Sequence, residues 1–279
     1  MKIALRNLMI VLIMLLTTGA YAADDFCFGC HSVQEGMSLT LKNDIHYAKG
    51  LSCTDCHGGD RTINDMNRSK VPATGFRPRP TRQAMPDYCG RCHSDLIYMA
   101  KFDPKVPVSA LVLYARGVHG KALAAGQTKS AECVDCHGVH NTRAVNDPLS
   151  PASPTKVSDT CAKCHKAVGD AFRDSAHGHG FNDERNPGCV TCHNNHDTAP
   201  ATAVLLTGKD VGCTRCHKAD SEDAKAGAEI AQVLATLEAA GPGAKDALAR
   251  ARVAVHTLDP EAVKRAAESP ATRPDTTQK

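Results

Sequence analysis

Tryptophan is absent from this sequence, and its 279 residues include only six phenylalanines and five tyrosines. That scarcity excludes a core built from large aromatic side chains, which usually contribute most of a domain's buried area. The 42% hydrophobic fraction is inflated by alanine and by 14 cysteines. A chain of this length with so little bulk needs something other than side chains inside it. Alternating runs long enough for a substantial sheet are also missing, so little β structure is expected. After residue 22 no apolar run approaches the roughly 20 residues of a membrane-spanning helix.

The first residues, MKIALRNLMIVLIMLLTTGAYA, carry Lys2 and Arg6, an apolar run from Leu8 to Leu16, and small residues ending in Ala20-Tyr21-Ala22. This is the pattern of a Sec signal peptide, residues 1–22, cleaved near Ala22. An uncleaved anchor fits less well because the apolar run is too short. Export to the periplasm or beyond, with no membrane span after cleavage, is the expectation. In that compartment seven disulfides would be the default for 14 cysteines.

The spacing of the cysteines argues against disulfides. They pair as Cys27/Cys30, Cys53/Cys56, Cys89/Cys92, Cys133/Cys136, Cys161/Cys164, Cys189/Cys192 and Cys213/Cys216, each two residues apart. A histidine follows every second cysteine: His31, His57, His93, His137, His165, His193 and His217. C-x-x-C-H is the attachment signature of c-type haem: two thiols add across the vinyl groups of one porphyrin, and the next histidine lies beneath it as proximal ligand. A zinc ribbon gives no reason for the following histidine, and a thioredoxin-type dithiol needs one motif, not seven. The expected cofactors are therefore seven covalently bound c-type haems.

Seven porphyrins, one for roughly every 37 mature residues, would supply the missing apolar interior. They also change the charge. The formal value of +3 falls to +1 without Lys2 and Arg6, and seven pairs of propionates add about −14, offset by about +7 from ferric irons. No nucleic-acid partner is implied by such a balance.

Seven histidines remain: His46, His119, His140, His177, His179, His196 and His256. One spare histidine per haem is what bis-histidine ligation requires. A repeat assigns most of them. One copy runs from His119 through ECVDCHGVHNT to TCAKCHKAVGDA, another from His177 through GCVTCHNNHDT to GCTRCHKADSEDA, and a degenerate one from His46 through SCTDCHGGD to YCGRCHSDL. His46, His119 and His177 are the upstream ligands of these copies. His140 and His196 fall three residues after a proximal histidine; one helical turn further on they would stay on the proximal side of their own haem, so each must reach another. The first copy has Asp60 at this position. His256 flanks an apolar helical stripe and can point inward. His179 has no counterpart in the other copies; it is a ligand or a bystander, and in the second case one haem takes Met37, Met66, Met85 or Met99, or keeps an open position.

The domains expected are residues 1–22, a signal peptide; 23–220, a heptahaem domain of one N-terminal site plus three two-haem repeats (about 46–102, 119–170 and 177–220); 221–268, C-terminal helices; and 269–279, a disordered tail. Two helices, 222–240 and 244–256, are broken by Gly241-Pro242-Gly243, with Ile230, Val233, Leu234 and Leu237 on the buried face of the first and Leu248, Ala251, Val255 and Leu258 on that of the second. Asp259-Pro260 starts a last short helix. Val71 to Pro86, with Arg77, Arg79 and Arg82, and Asp147 to Lys156 read as surface connections.

On these motifs, and on phrases such as HYAKGLSCTDCHGGD, ARGVHG and CVDCHGVHN, the sequence from Phe26 to Thr257 resembles the multihaem c-type cytochromes of bacterial respiratory chains. The resemblance implies a mainly α and irregular-coil fold organised around stacked haems. It implies electron relay between redox partners: a quinol-oxidising membrane cytochrome, a terminal reductase or an extracellular acceptor. Catalytic relatives keep one open haem, and the nitrite reductases mark it with Cys-x-x-Cys-Lys, which does not occur here. The rival expectation is an oxidoreductase acting through one open haem on a small nitrogen or sulfur compound. An oligomer with haems stacked across protomers is a further possibility.

Overall fold

The structure, a computed structural model, describes residues 25–32, 40–178, 186–208 and 212–270. The signal peptide, His179, Met37 and the tail from residue 271 lie outside the described residues. No strand occurs among the described residues, and the chain is helix and coil, as the sequence predicts. It divides into two compact units, Met1–Pro80 with His140–Thr142, and Thr81–Val139 with Arg143–Lys279.

The first unit holds α1 (Phe26–His31), α2 (Ile45–Ala48), α3 (Cys53–His57) and α4 (Met66–Ser69). Helices of four to six residues are well below the length that is stable in isolation. Their starts are fixed by acidic caps instead: Asp25 accepts from the Phe28 amide, Asp44 from His46 and Asp65 from Asn67, at 2.8–3.0 Å. Val71 to Pro86 is not a plain extended connection. A 3-10 turn forms at Pro72–Thr74, and Met85 and Pro86 already belong to the next helix.

The second unit begins with α5 (Met85–His93), α6 (Leu96–Met99), α7 (Ala110–Arg116), α8 (Val118–Ala124) and α9 (Cys133–His137). It continues with α10 (Val157–Ala162), α11 (Lys166–Arg173), α12 (Cys189–His193) and α13 (Val204–Thr207). Within the Asp147 to Lys156 loop Ser150 and Ser153 are fully buried, while Leu149 is 68% exposed. Their environment is polar turn backbone, with Ser153 donating its amide to the Ser150 carbonyl at 3.0 Å.

The last segment contains the apolar core. Here α14 (Glu222–Ala239), α15 (Lys245–Ala254) and α16 (Pro260–Glu268) pack together. Ile230, Ala231 and Leu234 of α14 meet Ala251 of α15 and Val263 of α16, with Val233, Leu237, Leu248 and Val255 around them. The helices start and break where capping chemistry demands: Ser221 caps α14, Gly241–Ala244 forms a 3-10 turn, and Asp259 caps α16 ahead of Pro260. Elsewhere the buried apolar side chains are single ones, such as Met99, Leu123 and Phe172.

Leu234→Ala removes a side chain that is 2% exposed from the centre of this cluster. It is expected to destabilise the C-terminal helices by about 2–5 kcal/mol, read as a lower unfolding midpoint with the haem content unchanged.

Candidate haem sites

No cysteine of the fourteen is in a disulfide. Among the described residues no cluster of His, Cys, Asp and Glu forms a metal cage of the zinc kind.

The sequence treats the two cysteines of a motif alike, and the structure does not. The first of each motif is half-buried, whereas Cys30, Cys56, Cys136, Cys164, Cys192 and Cys216 are exposed; among the second cysteines only Cys92 is half-buried. Cys30 and Cys56 in the first unit lie on the solvent side of their helices. The cause is their place in the turn. The first cysteine opens the motif helix against a neighbouring motif, as Cys53 does within electrostatic reach of Cys27, and the second, three residues on, lies near the helix end. At Cys56 the backbone carbonyl is engaged instead, accepting from Arg77 Nε at 3.3 Å. Exposure is compatible with anchoring, because a thiol has to be reached by a vinyl group to add to it.

Local sequence explains how each motif is held. In CTDCH and CVDCH the acid before the second cysteine reaches back to the helix start: Asp55 accepts from the Ser52 amide at 2.7 Å and Asp135 from Glu132 at 2.8 Å. In CVTCH the Thr191 hydroxyl accepts from Gly188 at 3.0 Å. Each is half of a capping box that fixes the pentapeptide as one helical turn. Glu132 is 3% exposed and lies 3.5 Å from the Arg82 guanidinium, which also binds Asp135. The Arg82 ion pair holds the Asp135 carboxyl below its ordinary range, outweighing a burial that would raise it. Arg82, expected in a solvated loop, is thus a brace of α9.

The backbone turns sharply after these three motifs. Gly58, Gly138 and Asn194, each following the motif histidine, have φ of 61°, 77° and 61°. A residue with a Cβ adopts this conformation only at a cost, and glycine takes it freely. The helix therefore ends at the motif histidine and does not run on for a further turn. His140 and His196 leave their own motif because the chain reverses, a different reason from the helical geometry expected of the sequence.

Two reversals dock alike. Ile45 donates to the Thr142 carbonyl at 2.7 Å, and Val118 to the Thr198 carbonyl at 3.0 Å. The helix carrying His46 is thereby joined to the segment carrying His140, and the helix carrying His119 to the one carrying His196. Asp44 completes the first junction. It is 4% exposed and accepts from the His46 amide at 2.8 Å, from His46 Nδ1 at 3.1 Å and from the Thr142 amide at 2.8 Å. Burial raises its pKa, and these hydrogen bonds more than reverse that, so the carboxyl titrates below its usual range.

The imidazoles then fall into pairs. Ring centres are 6.2 Å apart for His57 and His140, 6.1 Å for His165 and His119, and 6.0 Å for His137 and His196. They are 6.1 Å apart for His217 and His177 and also for His193 and His256. Every pair joins one motif histidine to one histidine outside the motifs. Two metal–nitrogen bonds of about 2 Å each plus two imidazole radii add up to this span. Interplanar angles are 17–21° in three pairs and 39° and 50° in the other two.

Hydrogen bonds at Nδ1 aim several rings. His193 Nδ1 faces the Ala199 carbonyl at 3.3 Å, His256 Nδ1 the Arg252 carbonyl at 2.9 Å, and His57 Nδ1 the Arg77 carbonyl at 3.3 Å. His217 Nδ1 lies 3.0 Å from Asp223. With the proton on Nδ1, the lone pair is on Nε2, as a metal ligand requires. Burial pushes the pKa of His119, His137, His140, His177, His193, His196 and His256 down, keeping them neutral. Of the methionines considered as ligands, Met66 is 67% exposed and Met99 is buried in α6. Sequence reasoning passed over Lys70, whose amine lies 3.1 Å from His31 Nε2.

Paired thiols beside a histidine that faces a second neutral imidazole define the residues of a c-type haem protein. A family model for "Cytochrome c3" matches residues 45–166, and one for "Cytochrome c554 and c-prime" matches residues 14–58. A curated relative, the "C-type polyheme cytochrome OmcC" of Geobacter sulfurreducens, is 24% identical over 173 residues, 54% of this chain. The chain spans about a fifth of that relative's length, 21%. No solved structure matches. Over these residues the chain is similar to multihaem c-type cytochromes.

Asp44→Ala leaves the His46 and Thr142 donors without their acceptor and is expected to cost about 1–3 kcal/mol in denaturant unfolding; Asp44→Asn, which keeps one oxygen, is expected to cost less.

Proposed function

We propose that the chain is an exported heptahaem electron carrier in which at least five haems have two histidine ligands. The observation that carries the reading is the pairing of His57 with His140, His137 with His196, His165 with His119, His193 with His256, and His217 with His177. In this assignment the cysteines of each motif anchor one haem, giving seven in all. The upstream histidine of a copy serves the second motif of that copy, as His119 and His177 do. The trailing histidine serves the motif two earlier, as His140 and His196 do. His256, from outside the repeats, serves the sixth motif. His46 is the upstream histidine of the first copy, with Nδ1 already held by Asp44.

The haems supply one-electron chemistry, and the chain sets their order. Within the second unit α9 packs against α5 and α10, and α10 against α12. The thiols of Cys133 and Cys89 lie within hydrogen-bonding reach of each other, as do those of Cys161 and Cys189. Cys136 lies within electrostatic reach of Cys164, and Cys192 of Cys213 and Cys216. In the first unit Cys53 lies within reach of Cys27. Within each unit successive motifs are thus neighbours, which supports a relay running in chain order there.

Because histidine–methionine ligation raises haem potentials, bis-histidine ligation favours low ones. A role between a quinol-oxidising membrane cytochrome and a reductase or extracellular acceptor fits such a carrier. The relative's name describes a polyhaem cytochrome, consistent with redox partners for this chain. No helix among the described residues is long and apolar enough to cross a membrane. Export rests on residues 1–22.

Two measurements on purified holoprotein test the reading. Intact mass is expected to show seven haems, and a redox titration is expected to place most of them at low potential; a mass with fewer haems, or potentials mostly well positive, contradicts it. His196→Met is expected to raise the potential of one haem while the others stay in place.

A further inference from the structure

The last two motifs sit in unlike charge environments. The seventh, residues 213–217, has a carboxylate at its proximal ring, because Asp223 lies 3.0 Å from His217 Nδ1. At the sixth, residues 189–193, both paired rings turn Nδ1 to neutral carbonyls, His193 to Ala199 at 3.3 Å and His256 to Arg252 at 2.9 Å. We propose, resting on the haem assignment above, that Asp223 sets the potential of the seventh haem below that of the sixth, where Arg215 acts in the opposite sense. Electrons at this end of the relay then run from the seventh haem to the sixth.

Asp223 acts on three residues of the seventh site. Besides touching the ring of His217 it reaches the facing one: burial and His217 push His177 down, and Asp223 is the charge that opposes them. Burial raises the Cys213 thiol, and Asp223 raises it further. A negative charge at Nδ1 makes the imidazole a stronger donor, which favours ferric over ferrous iron and lowers the potential. The Asp223 side chain is 70% exposed, so water and salt screen its pull through space; the contact with the ring is what they leave.

The fold fixes where both charges stand. Asp223 is in the first turn of α14, which Ser221 caps and whose Ile230, Ala231 and Leu234 are held in the apolar core. One turn on, α14 passes so close to the motif that a Cβ on Gly227 would lie 2.3 Å from Cys213 Sγ. A packed helix, and not a loop, thus delivers the carboxylate. Arg215 lies between the cysteines of the seventh motif and reaches the sixth, donating from Nη1 to the Thr191 carbonyl at 3.3 Å. There burial and the thiols of Cys213, Cys189 and Cys216 raise Cys192, and Arg215 is the cation that opposes them. A cation beside a haem favours its ferrous state. In the transfer one electron leaves ferrous iron at the seventh site, which becomes ferric, and reduces ferric iron at the sixth; no proton moves and no bond changes. A one-electron donor protein refills the seventh.

The test is an EPR-monitored redox titration of full-length holoprotein, as wild type and as Asp223→Asn, Glu222→Gln and Arg215→Gln. Asp223→Asn keeps an oxygen to face the ring and removes the charge, so a role in aiming alone would leave the potential unmoved. It is expected to raise one haem's midpoint by about 59 mV or more, a tenfold change in the ratio of reduced to oxidised form for one electron, with the low-spin signals kept. Arg215→Gln is expected to lower a different haem, which in wild type titrates above the first. Glu222→Gln, in the same helical turn but paired with Lys225, is expected to leave both in place. A missing shift in Asp223→Asn or Arg215→Gln, an equal shift in Glu222→Gln, or the reverse order of the two haems overturns the proposal. Peptide mapping separates this from failure of the haem assignment: a peptide carrying Cys213 and Cys216 without haem overturns the assignment, and the proposal with it.

Discussion

A pentapeptide can grip one face of a flat ring but not both. C-x-x-C-H places two thiols and an imidazole on one helical turn, so the second axial group has to come from another part of the chain. The reversal at Gly58, Gly138 and Asn194 ends the motif helix so that a later residue can travel elsewhere. The junctions at Thr142 and Thr198 fix where it arrives. Buried Asp44 holds the ring of His46 and the segment of His140 in one place.

The same constraint explains why the helices are short and the core is confined. Among the described residues α14, α15 and α16, with Ala203 and Leu206, bury a contiguous apolar cluster, and that cluster delivers His256 to His193. Everywhere else the chain is capped turns around the motifs, where the hydrogen bonds of capping boxes and the Arg82 brace take the place of side-chain packing. On the haem assignment, porphyrins provide the missing apolar contact. Moving a distal histidine then disturbs two sites, since His140 and His196 are each tied by three residues to the motif of a different haem.

Much of this was legible in the sequence. Helix positions in the C-terminal segment, the break at Gly241-Pro242-Gly243 and the cap at Asp259-Pro260 followed from local chemistry, which needs no partner. The inward turn of His256 followed from its place beside the apolar stripe. The partners of the distal histidines were not legible, because pairing joins residues up to 83 positions apart, as from His57 to His140, and depends on reversals whose direction is set by single backbone torsions. The outward placing of Cys30 and Cys56 was hidden as well, since spacing alone does not say which end of a motif meets its neighbour. The role of Arg82 escaped for a related reason: an arginine in a polar loop reads as solvated until its neighbours are known. The burial of Ser150 and Ser153 came from the same source, since a serine-rich turn looks the same whether water or protein covers it.

The central claim is that the imidazole pairs mark the positions of irons. Anomalous diffraction at the iron edge from crystals of the holoprotein measures this directly. The account predicts seven iron sites, five of them midway between His57 and His140, His137 and His196, His165 and His119, His193 and His256, and His217 and His177. Irons displaced from these midpoints, or pairs with no iron between them, would contradict it.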